Sequence, residues 1–315
     1  MKINMNDIEI VSKIPRLPSS LPVFRTKKAT LNDRKHAIEI LSEELKLSKL
    51  HAIEVEDSIH MLSKEGELQY YRPSGALWAR NIAVDTKFED ERRSWKTEKV
   101  PDEENKEDFK LILPKTIERQ LVEKTQSLFK RTELIGKHAY FADVSLEQIS
   151  EFDEKGKEIN RFAGEATVRF LYKLNEIKVD GGGAKSYTYF YPNEEENDLV
   201  GIYHAWREII DSRSVKLLKI EEAIERALSR DGELTLYHEK KHKIQLRKIE
   251  LIYYALPPSR YQEFVFPAMR IIGSVTPISK NADRNGFEFA RYYHIVHPDE
   301  YVKAEFYAHY LISRL

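Results

Sequence analysis

Apolar positions along this chain change period three times, from helical spacing to strict alternation. The first helical stretch covers residues 30–45, where Ala37, Ile38, Leu41 and Leu45 fall on one face. Thr30 and Asp33 stand in the T-x-x-D relation of a capping box. The second covers residues 114–128, with Ile117, Leu121, Thr125 and Leu128 in line. Pro114 sits near its start, where a missing N–H is tolerated. The third covers residues 217–228, where Ile220, Ala223, Ile224, Ala227 and Leu228 form the best stripe.

Alternation follows each helix. After the first, Ile53, Val55, Asp57, Ile59 and Met61 read as one strand. Lys64-Glu65-Gly66 makes a turn, and strands over 68–72 and 76–80 flank Pro73-Ser74-Gly75. After the second, strands are predicted over 139–149 and 159–174, the latter alternating at Val168, Phe170, Tyr172 and Leu174. A glycine turn at 180–183 leads to a strand with Tyr187, Tyr189 and Tyr191 on one face and Thr188 and Phe190 on the other. Residues 199–206 close that group. After the third, residues 244–254 alternate with a phase shift between Leu246 and Ile249, which predicts a bulge. Pro257-Pro258-Ser259 turns the chain into a strand over 264–272, which Pro267 marks as an edge strand or a bulged one. Another strand covers 287–296. The tail, 298–315, reads as a helix anchored by Tyr301, Phe306, Tyr310 and Leu311. Residues 1–20 read as an irregular arm before a short strand at 21–25.

A helix followed by a meander buries one helix stripe on one sheet face. The expected fold class is therefore α+β, with tandem modules of a helix packed on an antiparallel β-meander, about three repeats. The expected boundaries are an N-terminal module with its arm (1–83), a charged linker (84–112), a second module (113–210) and a third with a C-terminal helix (211–315). The linker has too few apolar residues to offset its ordering entropy alone, and Trp95 and Phe109 are its expected anchors.

Composition narrows the function classes. Of 315 residues, 33% are charged, yet the net charge is -1, so the chain lacks the basic footprint of a nucleic-acid binder. It has no cysteine, which excludes disulfides, thiolate metal sites and thiol nucleophiles. No segment approaches the roughly 18 apolar residues of a membrane span. Residues 1–14 have no apolar core of the kind a signal peptide needs.

One stretch matches a catalytic pattern. His238-Glu239-Lys240-Lys241-His242 fits H-E-x-x-H, in which a helix presents two imidazoles to zinc and the glutamate activates a water. Its context argues against zinc. It follows Asp231-Gly232, which ends the preceding helix, its flank 234–237 looks strand-like, and two lysines fill the variable positions. The expected reading is a charged turn. Gly181-Gly182-Gly183 lacks phosphate-loop spacing and leads into an aromatic strand, so a hairpin turn is expected. No G-x-S-x-G elbow occurs. No catalytic set and no cofactor site are read from the chain. The notable cluster is aromatic: Tyr187, Tyr189, Tyr191, Tyr203, His204 and Trp206 are candidates for a sheet face that grips a polypeptide. Aromatic side chains also suit a strand core.

Three groups of residues carry a family resemblance. One is Ile249-Glu250-Leu251-Ile252-Tyr253-Tyr254, then a proline-rich turn, then Phe264-Val265-Phe266-Pro267-Ala268-Met269-Arg270. Another runs from Leu174 through Gly181-Gly182-Gly183 to Gly201-Ile202-Tyr203-His204-Ala205-Trp206-Arg207, and the third is Tyr70-Tyr71-Arg72-Pro73-Ser74-Gly75-Ala76-Leu77-Trp78. Their order resembles PepSY-like modules of the peptidase-propeptide type, as in membrane-tethered regulators of a bacterial cell-wall two-component system. The resemblance covers residues 20–82 and 113–296. It implies a non-enzymatic role in inhibiting, chaperoning or sensing a partner protein, outside the cytoplasm. The chain departs from that pattern in having no membrane anchor. The expected function is thus a non-catalytic protein-binding or regulatory protein that uses an aromatic sheet face or edge strand. The alternatives are a zinc hydrolase using His238, Glu239 and His242, and a structural envelope or spore protein. A homodimer through an edge strand is compatible with all three.

Overall fold

The computed structural model describes residues 8–91, 94–102, 108–192, 198–239, 242–278 and 286–302. In chain order the elements begin with β1 (Ile8–Ile10), β2 (Ser20–Lys27) and α1 (Leu31–Glu44). The meander β3 (His51–Val55), β4 (Ser58–Leu62), β5 (Gly66–Tyr71) and β6 (Ala76–Asn81) follows. Then come α2 (Ile82–Glu91), β7 (Glu98–Pro101), β8 (Phe109–Ile112) and α3 (Lys115–Thr132). The longest strands are β9 (Ala139–Phe152) and β10 (Glu158–Leu174), followed by β11 (Ile177–Asp180), β12 (Lys185–Tyr191), β13 (Asp198–Ala205) and β14 (Glu208–Lys216). The last third holds α4 (Ile220–Arg230), α5 (Gly232–Glu239), β15 (His242–Tyr254), β16 (Phe264–Pro277), β17 (Phe287–His294) and α6 (Pro298–Val302). The fold is α+β, dominated by one large, mainly antiparallel sheet of 15 strands.

Local chemistry sets the helix starts. At α1 the Thr30 hydroxyl accepts from the Asp33 N–H at 3.2 Å, and the Asp33 carboxylate accepts from the Thr30 N–H at 2.8 Å. The capping box predicted from T-x-x-D is present. In α3, Leu121, Thr125 and Leu128 are buried, and in α4 Ala223, Ile224, Ala227 and Leu228 are buried. The Leu246/Ile249 phase shift is a register shift of β15 against β16 between Leu246 and Lys248.

Several expectations are corrected. The alternation over residues 53–61 is a hairpin, since Glu56 and Asp57 turn the chain and Val55 pairs with Ser58. The arm holds β1, which pairs in parallel with β15. The charged stretch 84–112 is more than a linker, because it contains most of α2 and the β7–β8 ribbon. Its anchor Trp95 is buried, with the indole N–H donating to the Gly164 carbonyl at 2.7 Å. Pro267 lies on neither an edge strand nor a bulge. The flank of β16 opposite β15 pairs with β2 up to Val265 and with β17 from Ala268, and Pro267 falls at that change of partner. Residues 234–237 are helical, in α5. The tail helix is described only as α6, so Phe306, Tyr310, Leu311 and the side chain of Tyr301 lie outside the described residues.

Two cores result. Helices α1 and α3 lie against each other and share one core with β5, β6, β10, β12 and β13, including Leu41, Leu121, Phe129, Val168, Phe190 and Ile202. Helices α4 and α5 cover a second core on β15, β16 and β17, including Ile224, Leu228, Leu246, Ile271 and Phe289. Between them Tyr172 stacks on Trp206 at 4.1 Å, beside Phe24, Tyr253 and Val265. Strand β11 makes the join. It leaves β10 through a tight turn at Asn175 and Glu176, both with positive φ, and pairs in parallel with β15.

Candidate functional site

Strands β10, β12, β13, β6, β5 and β4 lie side by side, and alternate residues of each face opposite ways. One face is covered by α1 and α3. Across the other runs a continuous row. Arg169 pairs with Tyr187, Tyr187 with Tyr203, Tyr203 with Trp78, Trp78 with Gln69, Gln69 with His60 and His60 with Ile53. Helix α2 packs on this face at one end, where Val84 meets Tyr189, Tyr191 and Val200, and the Gly182 loop touches it at Tyr203. The rings support one another, Tyr187 edge-on to Tyr189 at 6.5 Å and tilted against Tyr203 at 6.1 Å.

The phenols are donors. Burial raises the pKa of Tyr187 and pushes Tyr189 up to about 12. Burial raises Tyr203 further, and its hydroxyl donates to the Gly182 carbonyl at 2.9 Å. At the α2 end Arg80 bonds Asp85 at 2.7 Å and Glu165 at 2.8 Å, and its guanidinium lies 5.6 Å from the Tyr189 ring centroid. Glu165 is raised by burial, which the adjacent Arg80 opposes. Tyr191 is buried beneath this cluster, with its hydroxyl 3.1 Å from Arg80.

Beside the row sits a polar network. His60 Nδ1 is 2.6 Å from Glu67, and Nε2 is 3.0 Å from the Ser58 hydroxyl. Glu67 as a carboxylate only accepts, so Nδ1 donates to it, and in the neutral ring Nε2 is then the acceptor. This has the outline of a serine–histidine–acid relay. Two features set it apart from one. The Gln69 amide also bonds Nε2, at 3.1 Å, and is itself held by the Tyr71 hydroxyl at 2.9 Å. That amide opposes a proton arriving at Nε2, which a general base must accept. Ser58 is also buried within the sheet. The network fixes the surface more than it prepares a nucleophile.

The predicted aromatic cluster is therefore divided. Tyr187, Tyr189 and Tyr203 share the open face, with Tyr191 beneath its rim. His204 and Trp206 do not belong to it. His204 is wholly buried on the covered face, where Nδ1 meets the Ser186 hydroxyl at 2.8 Å and Ser186 meets the Tyr172 hydroxyl at 2.6 Å. Burial, with nearby Arg34, holds its pKa well below the usual histidine value. Trp206 is spent on Tyr172. Trp78, Gln69 and His60 complete the face. Their own alternation was visible, but the pairing of β6 with β13 that brings them to Tyr203 was not.

The H-E-x-x-H residues do not share a helix face. His238 and Glu239 end α5, whereas His242 opens β15 and is buried, its ring 5.1 Å from that of Tyr237. Among the described residues no group of three or more histidine, aspartate or glutamate side chains converges as metal ligands. The glycine run is a close-approach turn. A Cβ at Gly181 or Gly183 would strike the carbonyls of Ala255 or Leu256. Buried Arg207 ties the same loop down by donating to the carbonyls of Leu256, Pro257 and Arg260.

No family model matches this chain. No curated protein matches it either. Among solved structures it is similar to an uncharacterized protein from Eubacterium rectale, with 10% identity and a TM-score of 0.47, over 87% of this chain and 82% of that one. No helix among the described residues is long and apolar enough to cross a membrane.

Proposed function

We propose that this chain is a non-catalytic protein-binding or regulatory protein of PepSY-like type, which holds a partner polypeptide on the open face around Tyr187, Tyr203 and Trp78. The observation that carries the reading is that row of half-buried aromatic side chains, with α2 packed at one end of it. Tyrosine and tryptophan supply large contact area at low conformational cost, with polar tips that bond across an interface. An extracytoplasmic setting belongs to the same proposal. So does a repeat origin, for which the element order speaks: α1-β3-β4-β5-β6 and α3-β9-β10-β11-β12-β13, the second with β11 inserted, place their last strands side by side.

Crosslinking pull-down tests it. The full chain should capture a specific protein, and Tyr187→Ala combined with Tyr203→Ala should weaken capture by about tenfold or more. His238→Ala should leave capture unchanged. Undiminished capture by the double variant, or turnover of a small substrate with no protein partner, would count against the reading.

A further inference from the structure

Strand β3 ends the sheet. Among the described residues it pairs with β4 along one side and with nothing along the other, and all five of its residues are exposed. Natural sheets guard such edges with charge, proline or bulges. The far end follows this rule, because β14 carries Asp211, Arg213 and Lys216 and shifts register between Ile209 and Asp211. Strand β3 carries a single charge, Glu54, which is already paired with Arg72; it has no lysine, proline or register shift, and exposes 52% of Ile53 and 49% of Val55.

The backbone of β3 is arranged for a symmetric partner. The two-residue turn at Glu56 and Asp57 makes Val55 and Ser58 a hydrogen-bonded pair. By alternation, Ile53 turns its N–H and C=O towards β4, while Ala52 and Glu54 turn theirs to the free edge. An antiparallel copy of the same strand, related by a twofold axis beside Ile53, sets Ala52 opposite the copy's Glu54 and Glu54 opposite its Ala52. All four backbone groups are then met without a bulge. The side chains agree. Ile53 meets its own equivalent, a β-branched pair that suits a sheet, and His51 meets Val55. Glu54, already 2.6 Å from Arg72, meets alanine and not a like charge.

The geometry points to a second copy of this chain as the occupant of β3, in a twofold dimer whose sheet runs from one protomer into the next. The axis is normal to the sheet, so both aromatic rows lie on the same side. This inference does not rest on the partner-binding reading above. A single short strand pair buries little surface, so association is concentration-dependent and exchanges readily.

Sedimentation equilibrium of the full chain tests it. The apparent mass should rise to twice 37.0 kDa as concentration increases from micromolar towards millimolar. Ile53→Lys, which sets two cations face to face across the axis, should hold the mass at one chain, while Ile210→Lys on β14 should change nothing. Because the chain has no cysteine, Ile53→Cys introduces one thiol. Equivalent positions across the axis lie within disulfide reach, so mild oxidation should link two chains. A monomer at every concentration, a dimer that survives Ile53→Lys, or a failure of Ile53→Cys to crosslink would each overturn the inference. So would a monomeric chain whose β3 takes a strand from some other protein.

Discussion

The two faces of β12 differ sharply for neighbours one residue apart. Ser186, Thr188 and Phe190 are buried beneath the helices, and Thr188 shares a hydrogen bond of 2.6 Å with Thr125 of α3. Tyr187 and Tyr189 remain half-exposed on the other side, held by rings and by the Arg80 cluster. The covered face uses small and apolar groups that fit a fixed partner. The open face uses large amphipathic groups that cover one another and still present polar tips. Stability and recognition are thus assigned to alternate residues of the same strand, and substitutions should separate them.

The largest effect is expected at Phe190. Phe190→Ala leaves a cavity between α3 and the sheet and should cost about 3–5 kcal/mol in urea unfolding. Thr188→Val, nearly the same size, strands the Thr125 hydroxyl without a partner and should cost about 1–3 kcal/mol. The next test uses pH. His204 is held neutral in the fold by burial, next to Arg34, so its folded pKa lies well below the ordinary 6.5. Below pH 6.5 the unfolded chain binds a proton that the folded chain refuses, so this contribution is lost as pH falls. The unfolding free energy should drop by up to about 1.4 kcal/mol per pH unit. His204→Gln should flatten that slope, and an unchanged slope would place the titrating group elsewhere. The smallest stability effect belongs to the open face. Tyr187→Ala removes ring contacts and should cost about 1 kcal/mol while impairing partner capture. A loss there as large as at Phe190 would erase the distinction between the faces.

Helices and strand phases were legible because they are local. The Thr30–Asp33 box, the α4 stripe, the Leu246–Ile249 shift and the alternation of β12 each depend on residues within a few positions of one another. What was not legible is long-range pairing. Nothing near Trp78 announces that it will lie beside Tyr203, and nothing near Ile8 announces Ile244. In sequence, His204 and Trp206 group with the tyrosines because all are aromatic and close together. Strand parity sends His204 to the covered face, and the end of β13 at Ala205 releases Trp206 to the junction. Strand β11 leaves no local mark in the sequence, because Asn175 and Glu176 form a tight turn without the glycine that usually signals one.

The parallel pairing of β1 with β15 has a consequence for synthesis. Gln245 and Glu9 bond across 236 positions of chain. At about 5–20 residues per second, β1 waits roughly 10 to 50 s after its own synthesis for β15 to be made. During that interval the early segment is an unclaimed ribbon, open to chaperones, proteases and nascent neighbours. A delayed closure of this strand pair is therefore built into the order in which the polypeptide emerges.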